Sequence, residues 1–345
     1  MIFFLSDYSQ GAHPKILEAL MKTNMEHTDG YGMDSHCQHA AELVRQLIQK
    51  PEAAVHMMVG GTPTNITTIA AALRPYEAVV APREGHIYRH ETGGIEQSGH
   101  RIIAFDTPDG KLTAQQVELA WEEYEDEHTV IPKMVYISHP TESGSIYTKA
   151  DLQALRAVCD KHDMYLYMDG ARIASALTCP ESDLTLPEIA NLVDAFYLGG
   201  TKNGILLGEA LVINNPAIDD HYRWFIKQNR GLLAKGRVIG TQLEALLEGG
   251  EDSLFFQLAR HANELAGKLR KGLSDMGLQF FGTSATNQIF PILPVKAVEE
   301  LEKDFMFYRW TPERNGELAI RLVTGWGTTK EDVDAVLAAV QKAIA

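Results

Sequence analysis

The sequence predicts an α/β fold, with a large domain on a mostly parallel sheet followed by a small α+β C-terminal domain. Two observations predict it. Short β-type runs alternate with amphipathic segments of helix length over most of the chain, as in repeated βαβ units. After Gly282 this alternation gives way to a strand, a helix, further strands and a last helix. A chain of 345 residues is long enough for both cores.

The elements of the large domain follow from their periodicity and from the turn residues between them. Apolar runs of strand length occur at Val55–Val59, Ala78–Ala81, Arg101–Phe105, Met134–Ile137, Tyr165–Met168, Ala195–Leu198 and Ala210–Ile213. Helical patterns lie between them at Thr64–Leu73, Ala114–Tyr124, Lys149–Asp160 and Leu186–Asn191. Helices then dominate from Leu233 to Leu273.

The small domain is predicted from the changed order of its elements. A strand at Ile289–Ile292 precedes a helix at Ala297–Asp304, and a strand at Leu318–Thr324 precedes a last amphipathic helix from Lys330 to Ala343. We place the boundary near Gly249–Gly250. The predicted units are residues 1–248, with an N-terminal arm and the large domain, and residues 249–345.

The charge of the chain excludes several classes of partner. The formal net charge is −15, from 31 basic and 46 acidic side chains, and no dense basic run occurs. We therefore expect neither nucleic acid nor an acidic membrane surface as a partner. The N-terminal apolar run is too short for a signal peptide, which favours a cytoplasmic protein. Three widely spaced cysteines without a CxxC pair argue against disulfides and against a thiolate zinc site.

Ligands of open α/β sheets bind beyond the carboxyl ends of the strands, so the residues there are the first candidates for function. The first predicted strand runs into VGGTPTN, where backbone N–H groups at the Gly61–Thr62 turn and the hydroxyls of Thr62 and Thr64 are suited to a phosphate. A plain strand-to-helix turn capped by threonine is the alternative. The chain contains no GxGxxG, and GLLAKGRV lacks the Lys-Ser/Thr of a phosphate-binding P-loop.

Titratable residues follow three other predicted strands. His86 and His90 have the i, i+4 spacing of residues on one helical face. The sequence HETGG, which begins at His90, differs from the HExxH motif, so a zinc protease site is excluded. Asp169 follows an apolar run, where an unpaired carboxylate is costly. Lys202 lies in the glycine-rich run YLGGTKNG, whose glycines we expect to admit a bulky planar group.

Together these features predict a pyridoxal phosphate site. Lys202 would hold the cofactor covalently, and Asp169 would keep a proton on the pyridine nitrogen. The turn at Gly61 and Thr62 would bind the phosphate, and His86 would lie against the ring.

The same residues lie in motifs that resemble those of the threonine aldolase and β-eliminating lyase group of pyridoxal phosphate enzymes. These motifs are SDYS, DGYGMD, GGTPTN, EGHIYRHETG, MDGARI, GGTKNG and IRLVTGW, and they span nearly the whole chain. The resemblance implies fold type I, the fold of aspartate aminotransferase. It also implies assembly as a homodimer or homotetramer, with the YGMDSHC segment reaching a neighbour's site.

Further site residues are implied by the resemblance. Arg172, Arg321 and Ser6 match positions that handle the substrate carboxylate or cofactor oxygens. A guanidinium suits a carboxylate because it donates two parallel hydrogen bonds. Lys235 and Arg237 lie where the family has a basic segment that reaches the cofactor phosphate, with a solvated helix end as the alternative.

One segment departs from the family pattern. The family has Asn-Thr-His-Asn where this chain reads SHPTES, residues 138–143. Our alignment puts Thr141 at the place of the second active-site histidine, and His139 lies two residues earlier. The resemblance therefore predicts His86 as the first candidate base for the β-hydroxyl and His139 as the second.

The implied activity is cleavage of the Cα–Cβ bond of a β-hydroxy-α-amino acid, with threonine or allo-threonine giving glycine and acetaldehyde. Two alternatives stay open. The first is a pyridoxal phosphate lyase that eliminates a β-substituent of another amino acid. The second is a non-catalytic protein that binds a phosphorylated metabolite at residues 60–64, with Lys202 as a phosphate contact.

Overall fold

The computed structural model describes residues 1–124 and 127–345. The strands are β1 (Ile2–Phe3), β2 (Ala54–Met58), β3 (Glu77–Pro82), β4 (Arg101–Phe105), β5 (Ile131–Ser138), β6 (Tyr165–Asp169), β7 (Ala195–Gly199), β8 (Glu209–Ile213), β9 (Gln288–Ile289), β10 (Ile292–Pro294), β11 (Phe305–Met306), β12 (Tyr308–Arg309) and β13 (Glu317–Val323).

The α-helices are α1 (Pro14–Thr23), α2 (Ser35–Ile48), α3 (Gly61–Ala72), α4 (His86–Arg89), α5 (Gly94–Gln97), α6 (Ala114–Tyr124), α7 (Lys149–Lys161), α8 (Ile173–Thr178), α9 (Leu186–Leu192), α10 (Pro216–Asp219), α11 (Tyr222–Gln228), α12 (Arg237–Leu247), α13 (Leu254–Asp275), α14 (Val295–Leu301) and α15 (Lys330–Ile344). A 3₁₀ turn at Gly250–Asp252 precedes α13.

The large sheet has seven strands in the order β2-β8-β7-β6-β5-β3-β4. Neighbours from β7 through β4 pair in parallel, and β8 is antiparallel to both β7 and β2. The mostly parallel sheet is therefore confirmed, and each predicted strand matches an observed one to within three residues at either end. Because β8 runs the other way, it begins at the edge where β7 and β2 end.

Helices cover both faces of this sheet. One apolar cluster packs α2, α6, α7, α9 and α12 on one face, and a second packs α3, α4, α5, α10 and α11 on the other. Both faces of the central strands are thus buried, as expected for a parallel sheet. Among the helices in the described residues, none combines the length and apolar composition needed to cross a bilayer.

Several helices begin at residues that satisfy their free N–H groups. The Thr148 hydroxyl accepts a hydrogen bond from the Asp151 N–H, and the Asp151 carboxylate accepts one from the Thr148 N–H. The same reciprocal pair starts α9 at Thr185 and α15 at Thr329. This arrangement is a capping box, which fixes the first residue of a helix.

A small antiparallel sheet in the C-terminal part joins β13 to β9, β10 and β12. The predicted strand Ile289–Ile292 appears as two short strands, β9 and β10, which keep one continuous register against β13. The break falls at Pro291, whose nitrogen has no hydrogen to donate. Helices α14 and α15 and the second half of α13 pack on this sheet.

The N-terminal residues pack with the C-terminal part. Strand β1 pairs in parallel with β11, and Phe4 lies fully buried in the same apolar cluster as β13 and α15. The predicted boundary at Gly249–Gly250 stays a prediction, and it coincides with the 3₁₀ turn before α13.

Candidate active site

The residues predicted for catalysis lie at one edge of the large sheet. Asp169 is the last residue of β6, Lys202 follows β7, and His86 begins α4 after β3. Since these strands are parallel, their carboxyl ends lie side by side. Asn65 Nδ2 donates to both Asp169 and Glu91, and Glu91 contacts His86, so these side chains form one hydrogen-bonded group, with Lys202 just beyond the end of the adjacent strand β7.

The Asp169 carboxylate is held by hydrogen bonds on both oxygens. Oδ1 accepts from the Tyr197 hydroxyl at 2.5 Å and from the Ala171 N–H at 3.0 Å. Oδ2 accepts from the Tyr136 hydroxyl at 2.8 Å and from Asn65 Nδ2 at 2.9 Å. Burial raises the pKa of this carboxyl, but the His86 charge and these hydrogen bonds outweigh it and lower the pKa below its usual range.

His86 is held by a second buried carboxylate. Its Nδ1 lies 2.8 Å from Glu91 Oε1, and the Glu91 side chain is fully buried. Burial lowers the pKa of His86, but the hydrogen bond to Glu91 and the charges of Glu142 and Asp169 raise it above the usual value. His90 stands one turn along, with its ring centroid 5.5 Å from that of His86.

Lys202 carries an amine whose protonated form is disfavoured. Burial lowers its pKa, and the Arg172 guanidinium lowers it further. The negative charges of Asp7, Glu142 and Asp169 oppose this effect without cancelling it. A lowered pKa means that a larger fraction of the lysine amine is unprotonated at a given pH. An unprotonated amine has the free lone pair that a covalent bond to a carbonyl carbon requires.

The glycines around Lys202 fit the packing of the chain itself. A Cβ on Gly199 would run into the Ala171 carbonyl oxygen, and a Cβ on Gly200 would lie 2.8 Å from the Gly208 carbonyl oxygen. Gly204 and Gly208 have φ of +91° and +121°, which side chains rarely tolerate. These glycines let the Lys202 loop pack closely against its neighbours, and the approach of a planar group to this loop stays a prediction.

The predicted phosphate turn forms the start of α3. Gly61 and Thr62 open this helix, and their N–H groups precede its first intrahelical bond, from Thr64 to Gly60. Thr64 also donates its hydroxyl to the Gly60 carbonyl at 2.7 Å, so it does not cap the helix. A Cβ on Gly61 would lie 2.9 Å from the Tyr197 hydroxyl, which places this turn beside Asp169.

Arg172 forms a buried ion pair with Asp7. Its Nε and Nη2 donate to the two carboxylate oxygens at 2.6 Å and 3.0 Å. Asn287 also donates to Asp7, at 3.1 Å. Burial raises the pKa of Asp7, but the positive charges of Arg172 and Lys202 outweigh it and lower the pKa.

Arg321 is buried without a neutralising carboxylate among the described residues. Its guanidinium lies 4.8 Å from the ring centroid of Tyr308 and 5.3 Å from that of Trp310. It donates only a long hydrogen bond, 3.4 Å, to the Leu5 carbonyl, and its Nε has no partner in the described residues. An uncompensated guanidinium in this position is suited to a carboxylate ligand.

Ser6 directly precedes Asp7, the ion-pair partner of Arg172. Its hydroxyl is 2.9 Å from that of Ser9, and both serines line a cavity of about 390 Å³ together with Asp7 and Trp326. Asp7 and Trp326 also border Lys202. The structure thus brings Ser6 to the same region as Arg172.

The structure does not bring the His139 ring to this group. Tyr136 contacts Asp169, and because side chains alternate along a strand, residues 137 and 139 face the other side of the sheet. There the His139 Nδ1 accepts a hydrogen bond from the Tyr147 N–H at 3.3 Å. Burial lowers the pKa of His139 to about 4, which makes it a weak proton acceptor.

Within SHPTES, the residue that acts on the site is Glu142. The Thr141 hydroxyl is engaged with the Asp109 carbonyl at 3.2 Å and with the Ser145 hydroxyl at 2.7 Å. The next residue, Glu142, is half-buried, and its negative charge acts on Lys202, His86, Arg172 and Arg321.

Lys235 and Arg237 lie apart from Lys202 in this chain. Arg237 begins α12 and donates to the carbonyls of Thr23 and Asn24 at 2.6 Å and 2.9 Å. Lys235 is exposed in the preceding turn, where Gly236 packs against residues 31–32. This basic segment therefore borders the YGMDSHC segment.

Sequence reasoning missed the polar residues that support the predicted ones. These are Asp7, Asn65, Glu91, Tyr136, Glu142, Tyr167 and Tyr197. The sequence of the strands does contain a pattern that points to some of these residues. Each of β5, β6 and β7 places a tyrosine in a run of buried residues, where a hydroxyl needs a partner.

Comparison with known proteins identifies the family of the chain. Residues 4–295 match the family model described as beta-eliminating lyase. A solved threonine aldolase from Leishmania major is 45% identical with a TM-score of 0.98, and the match covers 100% of both chains. The low specificity L-threonine aldolase of Pseudomonas aeruginosa is 29% identical over 337 residues, which is 96% of this chain and 94% of that protein.

More distant structures share the fold alone. An aspartate aminotransferase from Thermus thermophilus is 16% identical with a TM-score of 0.72, over 99% of this chain and 91% of that one. The predicted likeness to aspartate aminotransferase is thereby confirmed. From the match over residues 4–295 and the sheet-edge group of Lys202, Asp169 and His86, the chain belongs to the beta-eliminating lyase family.

Proposed function

We propose that this protein uses pyridoxal phosphate to cleave the Cα–Cβ bond of β-hydroxy-α-amino acids, with threonine or allo-threonine giving glycine and acetaldehyde. The observation that carries the proposal is the group of Lys202, Asp169 and His86 at one sheet edge. The likeness to threonine aldolases from Leishmania major and Pseudomonas aeruginosa supports this reaction.

The residues present fit the cofactor. A buried lysine with a lowered pKa suits a covalent link, and the ionised Asp169 suits a protonated pyridine nitrogen. The α3 N–H groups at Gly61 and Thr62 suit the phosphate. When bound, pyridoxal phosphate supplies a ring that accepts the electron pair released when a bond at Cα breaks.

The remaining steps fall to the side chains of this chain. Arg321 binds the substrate carboxylate, because it is the buried guanidinium of the site without an acidic partner in the described residues. The charges of Arg321 and Arg172 interact with each other. The two guanidinium groups therefore give this part of the site a positive charge that attracts the substrate carboxylate.

His86 takes the proton of the β-hydroxyl in this proposal. An imidazole whose pKa is raised above its usual value holds a proton more strongly than a free histidine, and its ring nitrogen can accept and return a proton. Glu142 carries a negative charge near His86, and in this proposal its carboxylate accepts a hydrogen bond from the hydroxyl. His139, the second base predicted from the sequence, faces Tyr147 instead.

The assay that tests the reaction compares substrates and products. Purified protein is incubated with L-threonine, L-allo-threonine, L-phenylserine and L-serine, and glycine, aldehyde and pyruvate are measured separately. Glycine with an aldehyde supports the proposal, and pyruvate with ammonia identifies a β-eliminating lyase instead. Replacement of His86 by phenylalanine should abolish most aldehyde release, and full activity in this variant would remove His86 from the base role.

The cofactor is tested independently of turnover. The protein with bound pyridoxal phosphate should be yellow. Treatment with borohydride should attach the cofactor permanently to Lys202, where peptide mapping detects it. A colourless protein that takes no label after incubation with pyridoxal phosphate would favour a non-catalytic binder of phosphorylated metabolites.

We also propose that the enzyme acts as a dimer or tetramer in the cytoplasm. Large apolar side chains are exposed on one region, at Leu17, Met21, Met25, Tyr31, Met33 and Trp224. The YGMDSHC segment lines a cavity of about 250 Å³ in this region, next to Gly236. A second copy bound here would bring Lys235 and Arg237 toward a neighbouring site, and light scattering measures the assembly directly.

A further inference from the structure

The carboxylate of Glu91 is buried beside the proposed base, although its burial does not favour the folded state. Its side chain is fully buried, and Oε2 has no hydrogen-bond partner among the described residues. Burying a carboxylate is costly, and leaving one oxygen unpaired adds to that cost. All its hydrogen bonds are made through Oε1, which contacts His86 Nδ1 at 2.8 Å and Asn65 Nδ2 at 2.7 Å.

The orientation of the Asn65 amide fixes the role of Glu91. Asn65 Oδ1 accepts from the Tyr167 hydroxyl at 2.8 Å, and Nδ2 lies between Glu91 Oε1 and Asp169 Oδ2. The opposite orientation would place an amide oxygen against two carboxylates. Nδ2 is therefore the donor to both, and Glu91 Oε1 acts as an acceptor.

This geometry determines which His86 nitrogen carries a proton. An imidazole nitrogen that faces an acceptor must donate, so Nδ1 bears the hydrogen. In the neutral ring, Nε2 is then the nitrogen with the lone pair. A base for the substrate hydroxyl needs such a lone pair on the nitrogen that is not tied to the protein.

We propose that Glu91 is a positioning residue that fixes the His86 proton on Nδ1 and leaves Nε2 as the proton acceptor. Asn65 completes the arrangement, because its amide ties Glu91 to Asp169 and so connects the base to the group that would hold the pyridine nitrogen. This inference rests on the proposed function of His86 as the base.

The ionisable groups that face the His86 ring are Glu91, Asp169, Glu142 and His90. Burial lowers the pKa of His86, and the Glu91 hydrogen bond is the largest effect in the opposite direction. A neutral residue in place of Glu91 should therefore lower the pKa of His86. The other three groups stay in place in such a variant, so the change reports on Glu91.

The first test needs no substitution at Glu91. The protein is labelled with ¹⁵N in the histidine rings, and the His86 signals are identified as those absent from His86→Phe. In the neutral ring, the ¹⁵N shifts and two-bond ¹H couplings should show the proton on Nδ1. A proton on Nε2 overturns the proposal, even if no Glu91 variant folds.

The second test compares Glu91→Gln with Glu118→Gln. Glu118 also accepts from a histidine, His162, at 3.0 Å, but on α6 and away from the site. Glu91→Gln should lower the pKa of His86 by about one unit, a tenfold change in proton affinity, whereas Glu118→Gln should leave it unchanged. An unchanged His86 pKa and tautomer in folded Glu91→Gln would refute the role of Glu91.

Kinetics separate positioning from a general structural effect. In Glu91→Gln, kcat should fall by at least about tenfold while KM changes little, and the acid limb of the pH profile should move to lower pH. Glu91→Asp, which keeps the charge, should restore that limb toward the wild-type position. If the wild type releases no aldehyde from any β-hydroxy amino acid, the proposed function fails, while the ring spectra still decide the role of Glu91.

Discussion

Replacing Arg321 by methionine should separate substrate binding from stability. Arg321 lies on β13 with its guanidinium between Tyr308 and Trp310 and has no acidic partner in the described residues. Methionine has a similar length and packs well against aromatic rings. The substitution therefore removes a positive charge without leaving a buried carboxylate unpaired.

The size of the effect follows from the two hydrogen bonds that a guanidinium donates to a carboxylate. Each hydrogen bond to a charged group contributes about 1.5 kcal/mol at the low end, so their loss costs about 3 kcal/mol. That corresponds to roughly a 150-fold loss of kcat/KM. The lost attraction to the aromatic rings, about 0.5–2 kcal/mol, is offset by relief from burying an unpaired charge, so the free energy of unfolding should change by at most about 1 kcal/mol.

The assay measures kcat/KM for threonine cleavage and the urea unfolding of the same samples. The matched control is Arg309→Met on the neighbouring strand β12, where the arginine is exposed and pairs with Glu302 at 2.7 Å. This control should retain wild-type kcat/KM. If Arg321→Met keeps kcat/KM within about threefold of wild type while the fold is intact, Arg321 does not bind the substrate carboxylate.

Three further predictions concern the buried carboxylates. Asp169→Asn should abolish most glycine release, and normal turnover would contradict the role of Asp169. Because the amide nitrogen would face the donors Tyr136 and Asn65, the free energy of unfolding should also fall by about 1–3 kcal/mol. Burial raises the pKa of Glu209 from 4.5 to about 7, so its protonation in the folded state adds stability that is full below pH 4.5 and is lost as pH rises to 7. Glu209→Gln should therefore raise the free energy of unfolding by about 1–3 kcal/mol at pH 8 but not at pH 4, as measured by urea titration. Equal effects at both pH values would show that ionisation of Glu209 is not the cause. The pKa of Asp7 is lowered against the effect of burial by the charges of Arg172 and Lys202, so its contribution is present above the unfolded value of 3.8 and is lost as pH falls through the folded value. Asp7→Asn should cost about 3–5 kcal/mol at pH 7 because Arg172 stays buried without its partner, and calorimetry should show that the loss shrinks in acid.

Local patterns in the sequence predicted the large sheet well. Strand β4 was predicted with its observed bounds, and β7 and β8 to within one residue. Strands β7 and β8 are buried along their whole length and the edge strand β4 is partly buried, so each appears as a short apolar run between turn residues. The pairing of β1 with β11 was not predicted, because a two-residue strand has no periodicity and its partner lies about 300 residues away in the chain.

The candidate site was predicted in part for the same reason. Lys202, Asp169 and His86 follow apolar strands, where a charged residue stands out against its neighbours. Asn65 and Glu91 lie within helical or turn segments that are polar in any case, so only their contacts reveal them. His139 was selected by residue type, but the alternation along β5 turns its ring to the far face.

The pairing of β1 with β11 has a consequence for how the chain unfolds. Phe4 is fully buried in the C-terminal apolar cluster, its carbonyl accepts from the Val323 N–H at 2.9 Å, and Asp7 a few residues later holds Arg172 in the large domain. Neither 1–248 nor 249–345 contains all the residues of its own interior. Calorimetry should therefore record one cooperative transition for the whole chain, and either half produced alone should be prone to aggregate.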